Sequence, residues 1–246
     1  MFKIQHFDTV TSTNDIIKDL AINGAPEGTV VIADAQTAGR GRMGRRFMSP
    51  SGTGLYMSVL LRPKLGATAA LLITTAAAVA VATAIEKHTK KDTYIKWVND
   101  IFVGGKKVCG ILTEGTFAQD GRLDFAILGI GVNLQVPKES FGELADIAGA
   151  IFDDDSYSKE EFVKDILCEF EKLYRNLESA PHYGEYVKRD MLCGKCVNVI
   201  RAGEVLYSAK VLGINKDFSL LVEHGATRES LSTGEVSVKA LQNDAV

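Results

Sequence analysis

Apolar side chains recur with helical spacing in two parts of the chain, and each part predicts an amphipathic helix. Residues 16–20 follow several candidate N-caps at 11–14, so we predict a helix there that stops near Gly24. A capping box at 158–161 opens a second helix, which the apolar pattern carries through Leu177. Both helices are expected to turn one apolar face toward a core.

Short runs of β-branched and aliphatic residues predict strands between and after these helices. The runs cover residues 29–33, 55–61 and 94–97. Gly104 and its neighbour Gly105 predict the turn of a hairpin. Residues 123–135 are typical of a central strand interrupted by two glycines, where we expect a ligand or another backbone to approach closely.

The uncharged segment 65–85 is long enough to cross a bilayer as a helix. About half of its residues are alanine or glycine, and threonines dilute it further, so its composition favours insertion weakly. We therefore predict a buried core helix whose small side chains pack closely on a sheet, in a soluble protein.

The pattern changes after Gly184. Short β-rich runs separated by Gly, Asn and Asp follow, which is typical of a small barrel. We place a domain boundary between a first domain, residues 1–186, and a second, residues 187–246.

Composition adds limits on the function. The chain is 46 % hydrophobic and 24 % charged with a formal net charge of -3, which gives no global reason to expect binding to DNA or a membrane surface. The N-terminus lacks the features of a secretory signal, and four cysteines are too few to staple the chain, so we expect reduced thiols in a cytoplasmic protein. Cys193 and Cys196 have metal-like spacing without a second pair, and the histidines are scattered, so no metal site built from Cys and His is predicted.

The densest positive charge lies in residues 38–47, called here the arginine loop, which holds four arginines and three glycines. Glycines let backbone N–H groups turn toward an anion, and arginines supply charged forks for phosphate or carboxylate. The loop matches neither a P-loop nor a dinucleotide fingerprint. Taken alone, it fits an anion site, a nucleic-acid contact or a surface loop.

Five motifs in order along the chain are more specific than any one of them. They are Ser12-Thr13-Asn14, Gln36 with the arginine loop, KWVND at 96–100, KVCGIL at 107–112 and GIGVNL at 129–134. Together they resemble the signatures of biotin–protein ligases, from about residue 7 to the C-terminus. The chain departs from these signatures at Val98, Phe47 and Val108-Cys109, none of which removes a charge.

The resemblance implies an α+β fold in which a mixed-sheet biotin/lipoate ligase-like catalytic domain, similar to class II aminoacyl-tRNA synthetases, precedes a small SH3-like β-barrel. It implies that ATP, with Mg²⁺, activates biotin to biotinyl-5′-AMP, and that the biotinyl group passes to a lysine of a carboxylase's biotin carboxyl carrier domain. Lys96 and Asp100 are further candidates for phosphate and metal.

The resemblance also implies site residues, at the positions that match its motifs. Catalytic roles fall to Arg40, Arg42 and Lys107. Biotin contacts are expected from Ser12, Thr13, Asn14, Gln36, Arg40, Gly41, Arg42 and Lys107. Nucleotide contacts are expected from Arg42, Arg45, Phe47, Asn99 and Lys107.

Three alternatives stay open at this point. A lipoate–protein ligase shares the fold and the reaction type, but its pocket needs no polar set like Ser12-Thr13-Asn14 and Gln36. A nucleic-acid-binding module would use the arginine loop, and a redox protein would act through Cys193 and Cys196. Because the catalytic motifs begin near residue 12, we expect a ligase without a DNA-binding repressor function; a homodimer is compatible with the sequence.

Overall fold

Two β-sheets and four α-helices make up the part of the chain that the computed structural model describes, residues 2–66, 69–118, 123–136, 142, 145–154, 156–232 and 236–240. The first sheet has seven strands in the order β1-β2-β3-β7-β6-β5-β4. Its strands are β1 (Lys3–Val10), β2 (Thr29–Gln36), β3 (Gly54–Leu61), β4 (Tyr94–Lys96), β5 (Asp100–Val103), β6 (Lys106–Phe117) and β7 (Leu123–Asn133). Strand β1 runs parallel to β2 and the other neighbours are antiparallel, so the sheet is mixed as expected.

Strand β7 occupies the centre of this sheet, between β3 and β6. It continues through Gly129 and Gly131 without a break, so the predicted interruption is wrong. The hairpin between β5 and β6 is confirmed, since Gly104 and Gly105 both adopt the positive φ that a tight two-residue turn requires.

The helices cover both faces of the sheet. They are α1 (Thr13–Ile22), α2 (Ala69–Thr89), α3 (Lys159–Tyr174) and α4 (Tyr183–Lys188). Helix α1 packs on β2, β3 and β7 from one side, whereas α2 packs on β6 and β7 from the other and carries α3 on its outer surface. The centre of the sheet is therefore covered on both sides, which explains why all of β3 is buried.

Two helix ends test the capping predictions. Gly24, with φ of 83°, follows the end of α1 as expected. Ser158 accepts a hydrogen bond from the backbone N–H of Glu161 at the start of α3. Helix α3 ends at Tyr174, three residues before the predicted Leu177, because the backbone of Asn176 leaves helical geometry and a short 3₁₀ turn follows.

Helix α2 confirms the predicted core helix. It is long and apolar enough to cross a membrane, but 72 % of its most apolar window is buried inside the fold. The hydroxyls of Thr74 and Thr75 bond to the carbonyls of Ala70 and Leu71 one turn earlier, which satisfies their polar groups within the helix.

The second sheet is antiparallel, with five strands in the order β11-β10-β9-β8-β12. They are β8 (Cys196–Arg201), β9 (Glu204–Ile214), β10 (Leu220–His224), β11 (Thr227–Leu231) and β12 (Val236–Ala240). This small sheet fits the expected SH3-like domain. Helix α4 spans the predicted boundary between residues 186 and 187, which stays a prediction.

The turn between β9 and β10 docks the second sheet on the first. Buried Phe218 in this turn stacks on the ring of His182, with centroids 4.7 Å apart. Its carbonyl accepts a hydrogen bond of 2.8 Å from the indole Nε1 of Trp97. The hydroxyl of Tyr186 donates to the carbonyl of Val98, so both domains hold the segment that leads into β5.

Candidate active site

All residues that the resemblance assigns to the site line one pocket on the described part of the chain. The start of α1 and the end of β2 form one end of the pocket, while the first residues of β5 and β6 form the other. The arginine loop crosses above β6 and β7. The pocket thus brings together Ser12, Thr13, Asn14, Gln36, Arg40, Gly41, Arg42, Arg45, Phe47, Asn99 and Lys107, whose individual roles stay predictions.

Uncharged hydrogen-bonding groups dominate the α1 end. The backbone N–H of Thr13 donates to Gln36 Oε1 at 2.9 Å, and the Thr13 hydroxyl lies 3.2 Å from the same oxygen. The Gln36 amide nitrogen donates to the hydroxyl of Ser49 at 2.8 Å. These bonds fix the amide orientation of Gln36 and leave a buried polar rim, since Ser12 and Thr13 are almost inaccessible.

Ser58 extends this polar set and was missed by the sequence analysis. It lies fully buried on β3, with its Oγ 2.7 Å from the Thr13 hydroxyl and 2.5 Å from Asn14 Oδ1. A serine hydroxyl has one hydrogen, so it can donate to one of these oxygens at a time. No local signal identifies Ser58, because the contact depends on α1 packing over the strand.

Two glycines of β7 give the pocket its floor. A methyl group on Gly129 would lie 2.4 Å from Asn14 Oδ1, and one on Gly131 would lie 2.7 Å from the ring of Phe47. The close approach predicted for this strand is thus real, but it comes from the side chains of Asn14 and Phe47. Only glycine leaves room for them.

The arginine loop folds back on itself as a narrow hairpin. The N–H of Phe47 donates to the Gly39 carbonyl at 2.9 Å, and the N–H of Gly41 donates to the Arg45 carbonyl at 2.7 Å. At its tip a 3₁₀ turn places Met43 at a φ of 57°. The hairpin presents its arginines along the pocket mouth.

Arg40 and Arg42 have different electrostatic surroundings. Arg40 makes a two-pronged ion pair with Asp15, and Glu114 lies 3.6 Å away. Hydrogen bonding to Asp15 raises the pKa of Arg40. Arg42 instead bonds to the Asn99 side-chain oxygen at 3.2 Å, and burial lowers the pKa of its guanidinium. Arg42 is therefore a desolvated cation whose hydrogen-bond partner is neutral, which suits it to an incoming anion.

Lys107 and Asp100 pair at the far end of the pocket. The Lys107 ammonium lies 2.7 Å from Asp100 Oδ1, which also accepts a bond from the Asn99 amide at 3.0 Å. Asn99 Nδ2 additionally reaches the Ile111 carbonyl on β6. Adjacent strands thus fix the positions of an ammonium, a carboxylate and an amide.

Metal-ligating residues are sparse in the described structure. No group of three or more His, Cys, Asp or Glu side chains stands close enough to hold an ion among the described residues. Among the described residues that line the pocket, Asp100 is the only one with a carboxylate side chain. Cys193 and Cys196 form no disulfide, lie on the exposed surface and do not line the pocket.

Comparisons with known proteins agree with this geometry. A family model described as "Biotin/lipoate A/B protein ligase family" matches residues 6–133. The chain belongs to this family.

Individual relatives are similar over different lengths. "Bifunctional ligase/repressor BirA" of Bacillus subtilis (strain 168) is 43 % identical over 174 residues, which are 70 % of this chain and 53 % of that relative. "Biotin--[acetyl-CoA-carboxylase] ligase" of Paracoccus denitrificans is 41 % identical over 106 residues, 42 % of this chain and 43 % of that relative. The chain thus spans about half the length of these curated relatives.

A solved structure resembles the whole described fold. The biotin protein ligase from Aquifex aeolicus, in complex with biotin and ATP, superposes with a TM-score of 0.83 at 25 % identity. The match covers 98 % of this chain and 100 % of that one. The match therefore extends through the second sheet.

The second sheet also reaches the pocket. Val238 of β12 lines it together with Trp97. Because Trp97 also bonds to Phe218, the small domain supports the β5 end of the site from behind. No local sequence signal points to this arrangement, since it joins residues more than a hundred positions apart.

Proposed function

We propose that this protein is an ATP-dependent biotin–protein ligase. It activates the carboxylate of biotin to biotinyl-5′-AMP with release of pyrophosphate, and it passes the biotinyl group to a lysine of a carrier domain. The observation that carries this proposal is a pocket with two different ends. The neutral polar side chains of Ser12, Thr13, Asn14 and Gln36 line its α1 end, where Arg40 is paired with Asp15, whereas Arg42 and Lys107 line its cationic end.

The polar end supports biotin over lipoate, the other substrate class in the family's description. A ureido ring offers two N–H donors and a carbonyl acceptor, so it needs several fixed polar partners in an enclosed site. Thr13, Asn14 and Gln36 line the pocket and supply such partners, and buried Ser58 connects Thr13 to Asn14 behind them. A dithiolane ring carries no comparable donors or acceptors, so it would gain no hydrogen bonds from this polar lining.

The cationic end suits the meeting of two anions. A carboxylate oxygen attacks the α-phosphorus of ATP, and the bond from that phosphorus to the pyrophosphate oxygen breaks. Fixed positive charge from Arg42 and Lys107 offsets the repulsion between the carboxylate and the phosphates and the charge that builds up during attack. In the second step the carrier lysine attacks the acyl carbon, and AMP leaves with the electron pair of the anhydride bond.

Mg²⁺ is proposed to arrive with ATP. Mg²⁺ in such sites is held by one or two carboxylates together with substrate phosphates. Asp100 provides one carboxylate at the cationic end, and it would hold the ion beside the phosphates. The ion would supply further positive charge to the pyrophosphate leaving group.

The remaining expectations are proposals of the same kind. The acceptor is proposed to be the biotin carboxyl carrier domain of a carboxylase, which the name of the Paracoccus denitrificans relative supports. Ligation without transcriptional repression, action in the cytoplasm and compatibility with a homodimer stay predictions from the sequence. Against a nucleic-acid module, Arg40 and Arg42 are both engaged by side chains of the pocket region.

The experiment that tests the proposal supplies biotin, Mg²⁺ and ATP labelled at the α-phosphate, with lipoate in a parallel reaction. We expect a biotin-dependent adenylate that transfers to a carrier domain when that domain is added. If lipoate alone is adenylated, the polar end of the pocket does not bind the ureido ring of biotin. Adenylation of neither acid would overturn the proposal and favour a role of the arginine loop in binding another anion.

A further inference from the structure

We propose that Asp15 is a positioning residue that latches the arginine loop over the pocket through Arg40. Given the proposed function, Asp15 would slow the escape of the adenylate between its formation and its transfer by keeping the loop closed.

The geometry of the contact is that of a rigid fork. Arg40 Nη1 lies 2.8 Å from Asp15 Oδ2, and Nη2 lies 2.7 Å from Oδ1. Glu114 on β6 lies 3.6 Å from the same guanidinium, and it accepts a 2.5 Å bond from the Asn14 amide. Arg40 is thus tied to α1 and, through Glu114, to the side chain that covers Gly129.

The Asp15–Arg40 contact lies in a part of the arginine loop whose backbone hydrogen bonds are made within the loop. At its base, the N–H of Ala38 donates to the Thr11 carbonyl at 2.8 Å. Beyond that point the backbone bonds given above for the loop join its own two arms. Two side-chain ties, Arg40 to Asp15 and Arg42 to Asn99, join the first arm and the tip of the loop to opposite ends of the pocket.

The Arg40–Asp15 and Arg42–Asn99 interactions are expected to respond differently when an anion enters the pocket. Arg42 faces the ligand end and can exchange its bond to a neutral amide for one to phosphate or carboxylate. Arg40 already satisfies its charge with a carboxylate outside the pocket lining. We therefore expect the Arg40 tie to persist when the ligand arrives, as a latch requires. A catalytic role for Arg40 itself stays a prediction from the resemblance.

A glycine-rich hairpin needs such a tie. Three glycines in the loop give it conformational freedom that any closed form must restrict. The Asp15–Arg40 pair is partly exposed, with 39 % of the Arg40 side chain and 37 % of the Asp15 side chain accessible. Exposed pairs are worth up to ~1 kcal/mol, which converts to a change of about 2- to 5-fold in an opening equilibrium.

The test compares Asp15→Asn with the matched control Asp19→Asn. Both substitutions remove one negative charge from α1, but Asp19 is exposed one turn further along the helix and is not in the pairs made by Arg40. The first readout is the rate of tryptic cleavage after the loop arginines in the ligand-free protein. The second is the rate at which preformed biotinyl-5′-AMP leaves the protein in a chase with unlabelled adenylate.

We expect Asp15→Asn to raise both rates about 2- to 5-fold over wild type, with Asp19→Asn unchanged. Asp15→Glu keeps the charge and is expected to restore part of the retention. High salt should accelerate adenylate loss from wild type more than from Asp15→Asn, because the exposed pair is screened. A purely structural effect of the substitution would not produce this difference in salt dependence.

Equal cleavage rates and equal adenylate loss in Asp15→Asn and Asp19→Asn would overturn the latch. If wild type forms no adenylate with biotin, the proposed function fails, and the cleavage rates alone then decide the latch. Faster cleavage of Asp15→Asn in that case still supports the loop contact, whereas equal cleavage refutes it. The two failures are therefore distinguishable.

Discussion

His182 is expected to make the junction between the two domains sensitive to acid. Its side chain is almost fully buried, stacks on Phe218 and bonds through Nε2 to the Thr75 hydroxyl at 2.8 Å. Its Nδ1 has no partner in the described structure. Burial lowers the pKa of His182 to about 4, so the folded protein keeps this imidazole neutral.

The sign and size of the effect follow from this lowered pKa. An unfolded chain takes up the proton as the pH falls below about 6.5, whereas the folded protein resists it until the pH nears the folded-state value. The stabilisation is complete above about pH 6.5 and is lost progressively on acidification toward about pH 4. A difference of about 2.5 pKa units corresponds to about 3 kcal/mol.

The measurement uses His182→Phe, which keeps an aromatic ring against Phe218 and removes the titrating group. Urea unfolding is followed by the fluorescence of Trp97, the one tryptophan of the chain, which lies at the junction. Between about pH 7.5 and about pH 4.5, wild type should lose ~2.5 kcal/mol more than the variant. His6→Gln, which alters an exposed histidine on β1, should follow wild type. Parallel losses in wild type and His182→Phe would refute the reasoning.

Three further predictions concern the pocket and its partners. Gly131→Ala should raise the KM for biotin or ATP at least about tenfold because its methyl group meets the Phe47 ring, while Gly184→Ala, which meets no atom within 4 Å, should match wild type in the adenylation assay. Ser58→Ala should lower the free energy of unfolding by about 1–3 kcal/mol, measured with urea, because buried Asn14 Oδ1 loses a donor; an unchanged midpoint would contradict this. Fluorescence anisotropy with duplex DNA should show no tight binding at physiological salt, whereas a saturable, steeply salt-dependent complex would contradict ligation without repression.

Local chemistry made much of the fold predictable. The turn at Gly104-Gly105 needs positive φ at both positions, and glycine supplies it wherever the rest of the chain lies. Helix α2 was predictable from its alanine-rich composition, because small side chains favour close packing over membrane insertion. Such features depend on a few neighbouring residues, and the sequence displays them directly.

Long-range contacts were not predictable in the same way. Ser58 interrupts an apolar strand, and its polar role appears only when α1 brings Asn14 over β3. The pairing of Asp15 with Arg40 joins a helix to a loop 25 positions away. The family resemblance named residues that line one pocket, but the sequence did not show which arginine pairs with a carboxylate and which faces the pocket, because this depends on tertiary packing.

The glycine floor of the pocket has a consequence for how its shape can change. Gly129 faces Asn14 and Gly131 faces Phe47, so in each pair one residue contributes volume that the other gives up. The dimensions of the cavity are properties of these pairs, and enlarging one member requires trimming the other. Paired substitutions that conserve the summed volume, such as Gly131→Ala with Phe47→Leu, would therefore change the shape of the pocket and allow it to accept a bulkier or slimmer ring system.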